Sequence, residues 1–346
     1  MFCFRRIVLL FFYFCTVFSG LQADSTRKFS VLPVPTFGYA PETRGYAGAV
    51  VQMAFKTDNN PAMRASALKT EFQYTQNKQL IAEMSGTLFA PGEKGIFNFT
   101  LHRSRFPEYF WGIGINTEES DKILIDNDRT WVDLAGLFQI RKRWFAGPLF
   151  RYQKRRLNNI QMIGSAEFSC YQIGTQLLHD SRNNILNPQM GSFFDLQISN
   201  NRSHQNGVRL LADYRHYFTL NKTSVLALRG AFSWLSSQTY FFDLALLGGD
   251  RLLRAYYAGR FRDQGLFVMN LEYRKSFYRR WGMAVGAGAG SVYNKPADAF
   301  NNPSKPSVNA GIRFLADRKE RINLRIDYAL GVNGQRGFYF AFGEAF

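Results

Sequence analysis

Residues 321–330, RINLRIDYAL, put Ile322, Leu324, Ile326, Tyr328 and Leu330 on even positions and Arg321, Asn323, Arg325, Asp327 and Ala329 on odd ones. A period of two makes a strand with one apolar and one wet face. FVMNLEYR repeats the pattern, with Phe267, Met269, Leu271 and Tyr273 set against Val268, Asn270, Glu272 and Arg274. So does the closing RGFYFAFGEAF, where Phe338, Phe340, Phe342 and Phe346 share a parity that only Glu344 interrupts. Near the start, Ala49, Val51, Met53 and Phe55 alternate with Val50, Gln52, Ala54 and Lys56. A soluble sandwich alternates as well, so the period alone does not choose between a sandwich and a membrane barrel.

The first 25 residues, MFCFRRIVLLFFYFCTVFSGLQADS, carry Arg5 and Arg6, an apolar run from Ile7 to Phe18, and small or polar residues after it. That order reads as a secretory signal over 1–23, too short for a transmembrane anchor. Residues 24–346 then form one domain, with no room for a separate periplasmic domain before the first strand. Cys3 and Cys15 leave with the signal, and Cys170 alone supports no intramolecular disulfide. No later stretch is apolar enough for a transmembrane helix, and the mean hydropathy is −0.23. Yet 46% of residues are hydrophobic and 16% aromatic. An exported chain of this kind is expected to be a transmembrane β-barrel, whose lipid-facing and lumen-facing residues average to near neutrality.

Runs of this kind predict strands near 33–40, 45–56, 65–76, 79–90, 95–105, 130–141, 145–157, 167–179, 191–201, 206–219, 223–235, 265–277, 281–294, 306–317, 320–331 and 335–346. The fold class expected is therefore all-β, a single 16-stranded antiparallel transmembrane β-barrel, an even count as bacterial barrels require. With both ends of the chain periplasmic, the connections 106–129 and 236–264 are external and 180–190 is a periplasmic turn. The net charge of +17 is spread among strand positions instead of forming a basic tract, so nucleic acid is not an expected partner. An anionic leaflet, anionic solutes or an acidic protein fit better.

With the strands placed, several segments together resemble the BamA/TamA superfamily of outer-membrane barrels, the bacterial surface antigen family. They are the first hairpin PTFGYAPETRGYAGAVV from Pro35, and a turn with Asp180, Arg182, Pro188 and Gly191. Between the eleventh and twelfth strands stand Arg254, Ala255 and Tyr256, then Gly259, Arg260, Phe261, Arg262 and Asp263, leading to a strand with Asn270, Glu272 and Arg274. RIDYALG and the terminal GEAF complete the set, which covers essentially the whole chain from residue 24. The resemblance implies location in the outer membrane of a diderm bacterium, contact with its lipids, and periplasmic or outer-membrane protein partners. Relatives in assembly and two-partner secretion carry periplasmic POTRA domains; this sequence shows none and is similar to a POTRA-less branch.

The family's external loop folds into the lumen, and its motif arginine pairs with acids on the twelfth and thirteenth strands. Carried over, this pairs Arg254 with Glu272, which parity puts on the lumen face beside Arg274. An arginine buried there needs a carboxylate, because its charge is costly to desolvate. The sequence departs from the pattern twice: the motif glycine is Ala255, and the expected thirteenth-strand aspartate falls at Gly288. One anchor is lost, so a looser loop is expected. The plainer alternative leaves Arg254 exposed and pairs Glu272 with Arg274 or a neighbouring strand. Gly286, Gly288 and Gly290 are either packing space beneath the loop or flexibility without a role.

The first and last strands must close the barrel. Pro33 and Pro35 donate no backbone hydrogen bond, and Gly331, Gly334 and Gly337 let the last hairpin bend, so this seam is a candidate weak point. In related assembly proteins client strands are thought to engage there; otherwise the prolines only end the strand at the rim. Phe346 resembles the terminal signal that outer-membrane barrels present to their own assembly machinery. His102, His179, His204 and His216 have no nucleophile or metal-ligand spacing around them, and Glu118 and Glu119 read as a solvated loop, so no catalytic residue, metal or cofactor is expected. The expected function is a partner-dependent component of outer-membrane protein assembly or translocation. The alternative is an autonomous anion-favouring pore or a structural scaffold.

Overall fold

A computed structural model describes residues 29–55, 57, 66–160, 164–203, 205–299, 301–317 and 321–346. The expected signal segment 1–23 and His204 lie outside the described residues. The chain forms sixteen long strands: β1 (Phe29–Ala40), β2 (Arg44–Phe55), β3 (Ser66–Thr75), β4 (Leu80–Phe89), β5 (Gly95–Arg105), β7 (Ile123–Arg141), β8 (Trp144–Ile160), β9 (Gly164–Asp180), β10 (Gly191–Arg202), β11 (Asn206–Asn221), β12 (Ser224–Leu235), β15 (Gly265–Tyr278), β16 (Trp281–Tyr293), β17 (Lys305–Asp317), β18 (Ile322–Gly331) and β19 (Arg336–Phe342). Three short strands lie in the connections, β6 (Glu108–Phe110), β13 (Ala245–Leu247) and β14 (Phe261–Asp263).

Each long strand pairs antiparallel with its chain neighbours, and β1 also pairs with β19, which closes a 16-stranded barrel. Closure gives the alternation its meaning. On β18, Ile326, Tyr328 and Leu330 are 43–49% exposed on one face, while Arg325, Asp327 and Ala329 are buried on the other. In a closed barrel the exposed apolar face is the outer one and the polar face the inner one. No helix among the described residues is long and apolar enough to cross a membrane.

The wall is uneven. Strands β7, β8 and β9 run 19, 17 and 17 residues, whereas β19 has 7. The low side is the seam, where the registered pair between β1 and β19 is Tyr39 with Phe340. By contrast, β1 stays in register with β2 from Phe29–Phe55 to Ala40–Arg44. On the outer face the seam carries aromatic contacts instead: Phe37 lies 5.3 Å from Phe340 and 5.9 Å from Phe342, and Tyr39 lies 5.6 Å from Phe338, ring centre to ring centre.

Two segments differ from expectation. The last strand, expected over 335–346, ends at Phe342, because Gly343 takes a φ of 75° and directs the chain inward. The parity of the phenylalanines therefore fails at Glu344 and Phe346, which are buried, Phe346 beside Tyr217, Val225 and Ala227. The connection expected over 106–129 is shorter, since β7 begins at Ile123 and pairs with β6 there. Short two-residue turns join β7 to β8, β11 to β12 and β15 to β16 at one end, and the longer connections 106–122 and 236–264 lie at the other. By the pattern of bacterial barrels, whose longest loops are extracellular, the two-residue turns are expected at the periplasmic end.

Candidate functional site: an ion-pair network and the barrel seam

The connection from β12 to β15 is held together by its own hairpin, in which β13 pairs with β14. It buries Leu247, Leu253, Ala255, Tyr256 and Phe261 against Val268 of β15, Val292 of β16, Ala329 of β18 and Tyr339 of β19. Gly288 and Gly290 border this contact: a Cβ at Gly288 would stand 3.1 Å from Leu253 Cδ1, and one at Gly290 would stand 2.8 Å from Leu247 Cδ1. Small residues on β16 therefore let the connection approach the wall.

Four arginines and four carboxylates meet beneath it. Arg254 donates through Nη2 to Glu272 and through Nη1 to Asp327 Oδ2 at 2.9 Å. Arg274 binds the other Glu272 oxygen at 2.7 Å and donates to the carbonyl of Phe346 at 2.9 Å. Arg313 on β17 reaches Asp327 Oδ1 at 2.5 Å and Glu344 Oε2 at 3.0 Å. Arg325 joins Asp327 at 2.7 Å and also contacts Asp250 of the connection. Equal numbers of opposite charges keep a buried cluster neutral, and breaking it from one side leaves an uncompensated ion. Arg254 is thus buried and shares Glu272 with Arg274.

The second carboxylate for Arg254 comes from Asp327 on the fifteenth barrel strand, β18, and not from the thirteenth, where Gly288 stands. The parity of RINLRIDYAL already put Asp327 on the wet face, but it could not say which distant arginine would meet it. The network residues Asp250, Arg313, Arg325 and Glu344 were missed for the same reason.

The rest of the motif is tied to the end of the barrel that carries the 106–122 connection. Ala255, at the glycine position, has a φ of 87°, and its amide donates to the Tyr339 hydroxyl at 3.0 Å. The Tyr256 hydroxyl donates to the Pro306 carbonyl at 2.6 Å and accepts from the amide of Val332 at 3.1 Å. Gly259 has a φ of 78°, and its carbonyl accepts from the Arg262 guanidinium. Arg260 donates to the hydroxyl and carbonyl of Thr117 at 2.6 and 2.9 Å and lies 3.5 Å from Glu119. Asp263 accepts from the amide of Gln264 at 2.8 Å. The amide of Ala258 donates to Glu42 Oε1 at 2.5 Å, which joins this connection to the turn between β1 and β2. Burial pushes the Glu42 carboxyl up to about 7.

Elsewhere, Arg182 forks onto both oxygens of Asp180 at 2.9 and 2.8 Å, and Gly191 turns with a φ of 101° where a Cβ would meet the Ser181 carbonyl at 2.3 Å. Pro188 is buried in the same turn. Pro33 and Pro35 pair with Val51 and Ala49 of β2, and a Cβ at Gly337 would meet the Tyr339 hydroxyl at 2.4 Å. The histidines are scattered: His102 stacks on Trp131, His179 lies against Trp144 and His216 contacts Tyr214. No cluster of metal-ligating side chains occurs among the described residues.

The Omp85 superfamily domain matches residues 138–346, more than half of the chain. No curated protein matches in sequence. Among solved structures, BamA from Haemophilus ducreyi lacking POTRA domains 1–3 is similar at 14% identity and a TM-score of 0.62, over 91% of this chain and 70% of that one. CdiB from Escherichia coli is similar at 11% identity and 0.60, over 92% and 67%. CdiB from Acinetobacter baumannii is similar at 12% and 0.57, over 91% and 60%. The chain spans 60–70% of the length of these structures, and at such identities the likeness concerns the barrel fold. The matched domain and the closed sixteen-stranded barrel lead to one conclusion: this chain belongs to the Omp85 superfamily and is an outer-membrane β-barrel.

Proposed function

We propose that the protein is a partner-dependent component of outer-membrane protein assembly or translocation, acting through the seam between β1 and β19, with the 236–264 connection closing the lumen. The observation that carries this reading is that Tyr39 with Phe340 is the one registered pair across the closing strands among the described residues. Backbone groups without a ladder partner are costly in a bilayer and are templates for a further strand. Pro33 and Pro35 keep part of β1 from donating to any partner. A client strand entering there is offered hydrogen bonds that the barrel does not make itself, which is strand addition at a sheet edge. The 4:4 balance of charges around Arg254 supports a docked connection, because a closed lumen leaves the wall as the route for a client.

The test is a covalent lock. Directly opposed antiparallel residues lie within reach of a disulfide. Tyr39→Cys with Phe340→Cys, in a Cys170→Ser background, is expected to deplete other barrels from the outer membrane when oxidised, with recovery on reduction. Normal client levels in the oxidised variant would overturn the reading. The net charge of +17 favours the second reading, an autonomous anion-favouring pore or scaffold. Anion-selective current through the purified protein alone in a planar bilayer would select it.

A further inference from the structure

We infer that the periplasmic rim beneath β15, β16 and β18 is a binding site for the phosphate of an anionic phospholipid in the inner leaflet of the outer membrane. A cavity of about 100 Å³ opens there between the turn that joins β15 to β16 and the start of β18. Six bases line it, Arg274, Lys275, Arg279, Arg280, Arg313 and Arg321, against one acid, Glu344. Glu344 is already engaged by Arg313 and lies 3.7 Å from Arg274. Lys275, Arg279, Arg280 and Arg321 form no ion pair among the described residues, and the described lining carries six bases against one acid. Buried Arg274 adds a donor, since its Nη1 has no hydrogen-bond partner. The hydroxyl-bearing Thr223 and Ser276 also line the cavity and suit phosphate oxygens.

The surroundings favour a lipid over a free anion. Met283 and Leu315 line the same cavity, and Phe277, Tyr278 and Trp281 are exposed beside it. Aromatic side chains of this kind sit at headgroup level, with Lys and Arg drawing anionic lipids to the same plane. Other short turns repeat the sign, with Lys222 between β11 and β12 and, farther round the barrel, Lys142 and Arg143 between β7 and β8. The inference is independent of the seam and stands whether or not clients pass through it.

The experiment is native mass spectrometry of the full-length protein released from mixed phosphatidylglycerol and phosphatidylethanolamine vesicles. Retention of phosphatidylglycerol over phosphatidylethanolamine is expected. Arg279→Gln with Arg280→Gln and Arg321→Gln should weaken it by about fivefold for each charge removed. Arg44→Gln with Lys78→Gln, at the other end of the barrel, should leave it unchanged. Equal retention of the two lipids, or no effect of the rim substitutions, would overturn the site. Displacement of the lipid by millimolar inorganic phosphate, with the phosphate itself retained, would overturn the lipid assignment. Loss of a co-purifying protein with lipid retention intact would assign the rim to a protein partner instead.

Discussion

Arg254 and Asp327, 73 residues apart in the chain, meet at 2.9 Å, and Glu272 takes the other arm of the same guanidinium. One arginine thus ties the 236–264 connection to β15 and β18 together. Arg254→Ala leaves two buried carboxylates each short of a cation and is expected to cost about 3–5 kcal/mol. Arg254→Lys should recover only part, because a point charge cannot serve two separated acids as a planar fork does. Limited proteolysis within 236–264 and the heat-induced unfolding shift on electrophoresis read the two effects. Unchanged cleavage in Arg254→Ala would show that the connection is held by its apolar contacts alone.

Ala255 pays for its place with backbone strain. Its φ of 87° lies where glycine is at ease and an L side chain is not. Ala255→Gly should therefore stabilise the protein by about 1 kcal/mol, even though a buried methyl is lost. The urea midpoint at constant slope is the measurement, and a lower midpoint would mean that the methyl packing outweighs the strain.

Gly290 and Gly230 make opposite predictions for one chemical change. A Cβ at Gly290 would stand 2.3 Å from Val268 Cγ2, whereas one at Gly230 meets nothing within 4 Å. Gly290→Ala should cost about 1–3 kcal/mol by overpacking. Gly230→Ala should stay within about 0.5 kcal/mol of the parent. Comparable midpoints for the two would argue that β16 shifts to admit the methyl.

The hydrogen bond from Ala258 to Glu42 should respond to pH. Burial raises the Glu42 carboxyl from its ordinary 4.5 to about 7. Between those values the folded chain holds a proton that the unfolded chain has lost. The stabilisation is thus complete below 4.5 and is lost as pH rises toward 7, by up to about 1.4 kcal/mol per pH unit. Glu42→Gln, which keeps an acceptor for Ala258, should flatten this slope. Hydrogen exchange at residues 255–260 across pH 5–8 measures it, and equal slopes in parent and variant would exclude Glu42 as the source.

The sequence by itself determined the strands. A period of two is local, because each residue's face follows from its neighbour's, and so the sixteen strands and the wet parity of Glu272, Arg274, Arg325 and Asp327 could be read without knowing what they meet. The ends of elements were less legible: β19 stops at Phe342 because Gly343 turns the chain, an event that aromatic parity does not record. Only the tertiary structure decided the partners. Closing the barrel brings Asp327 to Arg254, Glu344 to Arg313 and Arg321 to the basic turn between β15 and β16, and no spacing along the chain encodes distances set by that closure. The seam belongs to the same class, since the pairing of Tyr39 with Phe340 depends on how sixteen twisted strands come round to meet.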